Sequence, residues 1–168
     1  IDSGELVDDE IITKVLYNRL RENDCNNGYI LDGFPRNVKQ AVLYDDILKS
    51  LNKNIDYVIL LDIPKELACQ RIVGRLSCSN CGKVYNIYVE ELTPITDSIC
   101  DICHVPLTKR KDDTAEVFEN RYNVYLSETL PLIDYYKQKG VLYVVDSSIN
   151  PAYTTEQIQK IIEGNIND

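Results

Sequence analysis

Between Gly28 and Gln40 the chain reads Gly-Tyr-Ile-Leu-Asp-Gly-Phe-Pro-Arg-Asn-Val-Lys-Gln, and these residue types suit phosphate chemistry. A short apolar run leads to an acid, a glycine and a Pro-Arg pair, and a helix-like pattern follows. In α/β proteins, ligands gather where a strand ends and a helix begins. Asp32, at the end of the run, could hold a Mg²⁺ ion through its waters. Gly33 would let backbone come close to a ligand. Arg36 offers a planar fork that matches phosphate oxygens. A plain strand-to-helix turn would use the same residues, and this segment alone does not separate the two readings.

Four of the six cysteines form a second constellation: Cys78-x-x-Cys81, eighteen residues, then Cys100-x-x-Cys103. Paired C-x₂-C steps at this separation suit a tetrahedral zinc site far better than a secreted disulfide framework. Four thiolates would close the coordination sphere, so the metal should be structural rather than catalytic. Thiolate ligands point to a reducing compartment. His104 follows Cys103 and could replace a cysteine, but the paired cysteines offer the better geometry. Cys25 and Cys69 stand alone and read as small packing residues.

Further along lie Gly74-Arg75, Gly82-Lys83-Val84-Tyr85-Asn86, Arg110-Lys111-Asp112-Asp113 and Arg121. Together and in this order, the segments make the chain closely resemble adenylate kinase, the nucleoside monophosphate kinase family with the long, zinc-bearing lid. The resemblance covers essentially the whole chain. It implies reversible phosphoryl transfer from ATP to AMP giving two ADP, with Mg²⁺ accompanying ATP and a structural Zn²⁺ at Cys78, Cys81, Cys100 and Cys103. By the same match, Arg36, Arg75, Arg110 and Arg121 are the catalytic arginines. Arg36 clamps the AMP phosphate, Gln40 reads the adenine edge, and Gly33, Phe34 and Pro35 complete that loop. Glu5, Leu6 and Val7 look like the last of the AMP-binding segment. Arg110 and Arg121 would reach across both nucleotides. Arg71, Arg75, Val84, Tyr85 and Ile149 would contact ATP, the last through its backbone.

Some of these residues keep a simpler reading. Arg71 and Arg75, four apart, would also suit one solvated helix face. The resemblance places Asp112-Asp113 near the lid hinge and the transferring phosphates, and the pair would equally suit a helix N-terminus, where negative charge is favourable. The family's phosphate-binding loop, G-x-x-x-x-G-K-[ST], occurs nowhere in these residues. The chain starts at Ile1 and contains no methionine. The resemblance therefore implies that the family's N-terminal third and its P-loop strand are lacking. These residues alone should then have negligible activity, which would belong to a full-length, monomeric parent.

The elements that must position these groups follow from periodicity. Asp8-Asp9 precede Ile11, Ile12, Val15, Leu16 and Leu20 at helical spacing, and Asn26-Asn27-Gly28 closes that helix. Tyr29–Leu31 reads as a short strand and 37–52 as a helix. Tyr57–Leu61 is a near-continuous apolar run, as in a parallel strand buried on both faces. Pro64 opens a helix running to Arg75. Periodicity vanishes from Leu76 to Lys109, in a segment too small for its own core, which a metal could hold together. A helix returns after Asp113, carrying Tyr122, Tyr125, Tyr135 and Tyr136 as core and surface. Val141–Val145 is the last strand, and 151–163 a closing helix.

Strands alternating with helices define an α/β protein with a parallel sheet. The fold expected is that of a P-loop nucleoside monophosphate kinase, with its central strand absent and a small zinc-bearing lid. A sheet lacking its centre should expose apolar surface. The expected layout is 1–7 as the AMP-segment remnant, 8–74 as core, 75–111 as lid and 112–168 as core. With 168 residues and a net charge of −9, a nucleic-acid surface is disfavoured, since it needs clustered Lys and Arg. No apolar run approaches a membrane span. The partners that the resemblance implies are ATP, AMP and ADP, in the cytoplasm or an organelle. The rival functions are a GTP:AMP phosphotransferase and a catalytically dead, zinc-stabilised nucleotide-binding module.

Overall fold

The computed structural model describes residues 8–164; Glu5, Leu6 and Val7 lie outside the described residues. The chain divides into two compact units. Among the described residues, the first unit holds 8–62 and 122–164 and the second holds 63–121.

In the first unit, helix α1 (Asp9–Leu20) packs on α2 (Val38–Leu51). Leu16, Leu20, Cys25, Tyr44, Ile47 and Leu48 form the core between them. Asn37 caps α2, its side chain accepting from the Gln40 N–H, and Asn52 ends the helix in the left-handed region. Strand β1 (Val58–Asp62) pairs in parallel with β4 (Leu142–Asp146), placing Asp62 opposite Asp146 at the carboxyl ends. After Tyr125–Thr129, one turn of π-helix, α5 (Pro131–Gln138) packs on α2 through Ala41, Leu132 and Tyr136. Helix α6 (Pro151–Ile162), capped by Asn150, closes the unit.

The second unit carries α3 (Lys65–Val73) and an antiparallel pair, β2 (Arg75–Ser77) with β3 (Val84–Asn86). Its small core is Cys78, Tyr85 and Cys100. Helix α4 (Ala115–Val124) starts in this unit, where the Thr114 hydroxyl accepts from the Val117 N–H and serves as its cap.

Several expectations need correcting. Tyr29–Leu31 is not a strand: no ladder partner stands beside it among the described residues, and Ile30 is 92% exposed. Asp32 therefore sits in a bend rather than at a strand end. The helix from Pro64 stops at Val73, because Gly74 ends it and Arg75 begins β2; Arg71 and Arg75 do not share a helix. The β1 run is not buried on both faces. Leu61 and, on β4, Val144 are exposed, because these two strands pair only with each other among the described residues. Finally, α1 ends at Leu20, and a 3₁₀ turn at Asn23–Asn27 leads to Gly28. The four tyrosines are shared between α4, the π turn and α5 rather than one long helix.

Candidate functional site

In the first unit the Gly33–Gln40 loop is organised around Arg36. Gly33 adopts φ +68, and a Cβ there would come within 3.2 Å of the Arg36 guanidinium. The positive φ favours glycine there, while the Arg36 side chain could shift from a Cβ. The Arg36 Nε donates to the Gly33 carbonyl at 2.8 Å, holding the exposed side chain over its own loop. The Arg36 N–H donates to Gln40 Oε1 at 2.8 Å, and the Thr129 hydroxyl donates to the Arg36 carbonyl at 2.7 Å. The π turn thus places Thr129 as a brace for the arginine loop.

Gln40 is 1% exposed, and its Nε2 donates to Asp9 Oδ1 at 3.0 Å. Lys39 pairs with the other Asp9 oxygen at 2.8 Å. Lys39 and Gln40 together hold the Asp9 carboxyl below its ordinary range. Asp32 is exposed in its bend, and Phe34 and Pro35 are half-buried, with Phe34 set edge-on to Tyr44. Ile149 is exposed between β4 and the Asn150 cap.

In the second unit, two acids hold two arginines. Asp113 is fully buried and accepts from Arg75 twice, from Nε at 2.9 Å and Nη2 at 2.5 Å. This fork-to-fork pair raises the Arg75 pKa. Its neighbour Asp112 accepts from Arg121 Nη2 at 2.8 Å, and that guanidinium holds the Asp112 carboxyl below its ordinary range. Neither acid caps α4; Thr114 does. Arg110 is exposed one turn earlier, its carbonyl accepting from the Asp113 N–H.

Arg75 stands opposite Asn86 in the β2–β3 register. Asn86 is buried and ties the α3–β2 junction together: its Nδ2 donates to the Arg71 carbonyl at 2.9 Å, and its Oδ1 accepts from the Tyr88 N–H at 2.9 Å. A Cβ on Gly74 would lie 2.5 Å from Tyr88, 2.6 Å from Asn86 Oδ1 and 2.9 Å from the Gln70 carbonyl, so only glycine fits. Val84 is exposed on β3. Tyr85 is 1% exposed, so contacts from it to a ligand on the surface run through its backbone.

The sulfur-bearing side chains of Cys78, Cys81, Cys100 and Cys103 converge, with all ligand atoms within 4.8 Å of one another. Backbone amides stabilise the loops: Gly82 N–H donates to the Cys78 carbonyl and His104 N–H to the Cys100 carbonyl. The Tyr85 hydroxyl and backbone N–H groups pull the Cys100 thiol down to about 6. The hydrogen bond with Cys81 and burial push Cys103 up to about 12. Four soft donors at this spacing fit a zinc-type cation. No helix among the described residues is long and apolar enough to cross a membrane.

Sequence reasoning named Asp113 and Asn86 without their contacts, and passed over Thr114. The bidentate hold of Asp113 on Arg75 joins positions that are distant in sequence, so no local pattern carries it. Asn86 belonged to a recognised segment, but its bridge to Arg71 depends on the hairpin register. The Thr114 cap was visible as a hydroxyl residue just ahead of a helical run.

A parallel α/β unit with a glycine–arginine loop is joined in sequence to an arginine-bearing unit with four clustered cysteines, the combination on which the resemblance to nucleoside monophosphate kinases rests. The adenylate kinase family model matches residues 1–141. An adenylate kinase of Thermotoga petrophila is 43% identical over 162 residues, covering 96% of this chain and 73% of that protein. Those of Rickettsia peacockii and Archaeoglobus fulgidus are 45% and 44% identical, covering 98% and 97% of this chain and 76% and 74% of theirs. The chain belongs to the adenylate kinase family, enzymes that transfer a phosphoryl group to nucleoside monophosphates, with Mg²⁺ accompanying the triphosphate.

Proposed function

We propose that the reaction is reversible transfer between ATP and AMP giving two ADP, with this chain supplying the AMP loop, the lid and most of the catalytic arginines. The observation that carries this reading is Arg36. Its Nε is anchored on the Gly33 carbonyl, while its guanidinium end projects from an exposed glycine loop that would admit a phosphate monoester.

Phosphoryl transfer asks a protein mainly to align the reactants, neutralise charge and exclude water. Arg36 clamps the AMP phosphate, with Gly33, Phe34 and Pro35 shaping the loop. Gln40 reads the adenine edge by exchanging its Asp9 bond for the base. Glu5, Leu6 and Val7 complete the AMP segment. Arg71, Arg75, Val84 and the Tyr85 backbone serve the ATP phosphates, and Ile149 serves the base through its backbone. Arg110 and Arg121 neutralise the transferring group. Asp112 and Asp113 hold the arginines oriented beforehand, so little reorganisation is left for the reaction. Asp32 would hold Mg²⁺ through its waters, the ion neutralising charge on the triphosphate. Residues 75–111 act as a lid between core segments 8–74 and 112–168, and Zn²⁺ on the four cysteines stabilises the lid without touching substrate. The 168 residues contain no G-x-x-x-x-G-K-[ST], so by themselves they turn over negligibly. The enzyme acts as a monomer on ATP, AMP and ADP, in the cytoplasm or an organelle.

Steady-state kinetics on the natural gene product test this. Arg36→Ala should raise KM for AMP at least tenfold with KM for ATP little changed; equal effects on both would refute the assignment.

A further inference from the structure

Tyr85 is the largest fully buried side chain among the described residues, and its hydroxyl lies inside the cysteine cluster. The Asp101 N–H donates to that hydroxyl at 2.9 Å. The hydroxyl is 3.4 Å from Cys100 Sγ. With its oxygen accepting from Asp101, the hydroxyl keeps its one proton free to donate, and the sulfur lies within its reach. A metal-bound thiolate carries no proton, so the tyrosine must be the donor there. Cys100 Sγ also accepts from the Cys103 N–H at 3.4 Å. The ring is held in turn by Lys83, whose Nζ sits 4.7 Å over its centroid and 3.7 Å from Asp101.

We propose that Tyr85 is a positioning residue of the metal centre, its hydroxyl hydrogen-bonding to the Cys100 thiolate so that zinc is held more tightly and released more slowly. This rests on the reading of the four cysteines as a zinc site. The role differs from nucleotide contact, which the buried side chain cannot make. Groups behind metal ligands commonly change metal affinity by about 10–100-fold when removed. A hydrogen bond lowers the energy of the sulfur lone pair, so it also moves the ligand-to-metal charge-transfer energy of a bound cobalt ion.

The test is Tyr85→Phe in the full chain, which keeps the ring and its packing. Two readouts are taken: zinc loss to a chromogenic chelator, and the sulfur-to-cobalt charge-transfer band of the Co²⁺-loaded protein. The proposal expects roughly tenfold faster zinc loss together with a red-shifted band. Unchanged loss and an unchanged band would overturn it. Faster loss with an unshifted band would also overturn it, since the hydroxyl would then only brace the Asp101 backbone. If the wild-type chain forms no tetrathiolate cobalt spectrum, the zinc reading itself fails, an outcome distinct from the other two.

Discussion

Replacing Asp113 by alanine strands the Arg75 guanidinium. Asp113 has 0% of its side chain exposed and Arg75 27%, and two short hydrogen bonds join them. Breaking a buried ion pair by deleting one partner costs about 3–5 kcal/mol. The part of Arg75 that reaches solvent can rehydrate, which places Asp113→Ala near the lower end, at about 3 kcal/mol. For a urea slope of about 2 kcal/mol per molar, the midpoint should drop by roughly 1.5 M. The assay is urea unfolding of the zinc-loaded chain, followed by far-ultraviolet circular dichroism. Asp113→Asn keeps the volume but turns an amide donor toward a donor, so it should lose nearly as much. Replacing the pair together, as Arg75→Met with Asp113→Leu, should recover most of the loss, since apolar substitutes for buried pairs are close to neutral. A midpoint shift under roughly 0.3 M in Asp113→Ala, or a double variant worse than the single one, would refute this account of the pair.

Gly74→Ala drives a Cβ to 2.9 Å from the Gln70 carbonyl and closer still to Asn86 and Tyr88. It should destabilise the second unit by about 1–3 kcal/mol, as overpacking does, measured as lost amide protection in β2 and β3. The carboxyls of Asp9, Asp24 and Asp112 are all held below their ordinary value of 3.8 by partners in the fold. Below that value the unfolded chain binds more protons than the folded one. Their stabilisation is therefore present above pH 3.8 and lost as pH falls through the lower folded values. Thermal melts from pH 5 down to 2 should show it, with Asp112→Asn flattening the slope. Chelating the metal should melt residues 76–109 and leave the α1–α2 core protected, because the cluster supplies most of the second unit's small core; hydrogen exchange reads both at once.

The helices were legible because their signals are local. Periodicity placed α1, α2 and α6, while the caps at Asn37 and Asn150 and the left-handed end at Asn52 show only in the structure. The cysteine cluster was legible because zinc ligands come in short paired steps that fix sulfur convergence before any tertiary packing. Tyr29–Leu31 misled because a strand is defined by a neighbour, and three apolar residues say nothing about whether one is present. The Pro64 helix was drawn too long because Gly74 was read only as part of a motif, whereas it stops α3 and leaves room for Asn86 and Tyr88. Tyr85 shows a different limit. Its position in a recognised segment suggested a ligand contact, while its burial sends the hydroxyl toward Cys100 instead.

Phosphorus NMR of ATP, AMP and Mg²⁺ mixed with the natural gene product tests the central claim most directly, with the 168-residue chain run beside it. The account predicts that the gene product converts the pair to two ADP and runs the reaction in reverse from ADP, while the 168 residues alone leave the spectrum unchanged. A gene product that leaves ATP and AMP untouched, or turnover by the 168 residues alone, would contradict it.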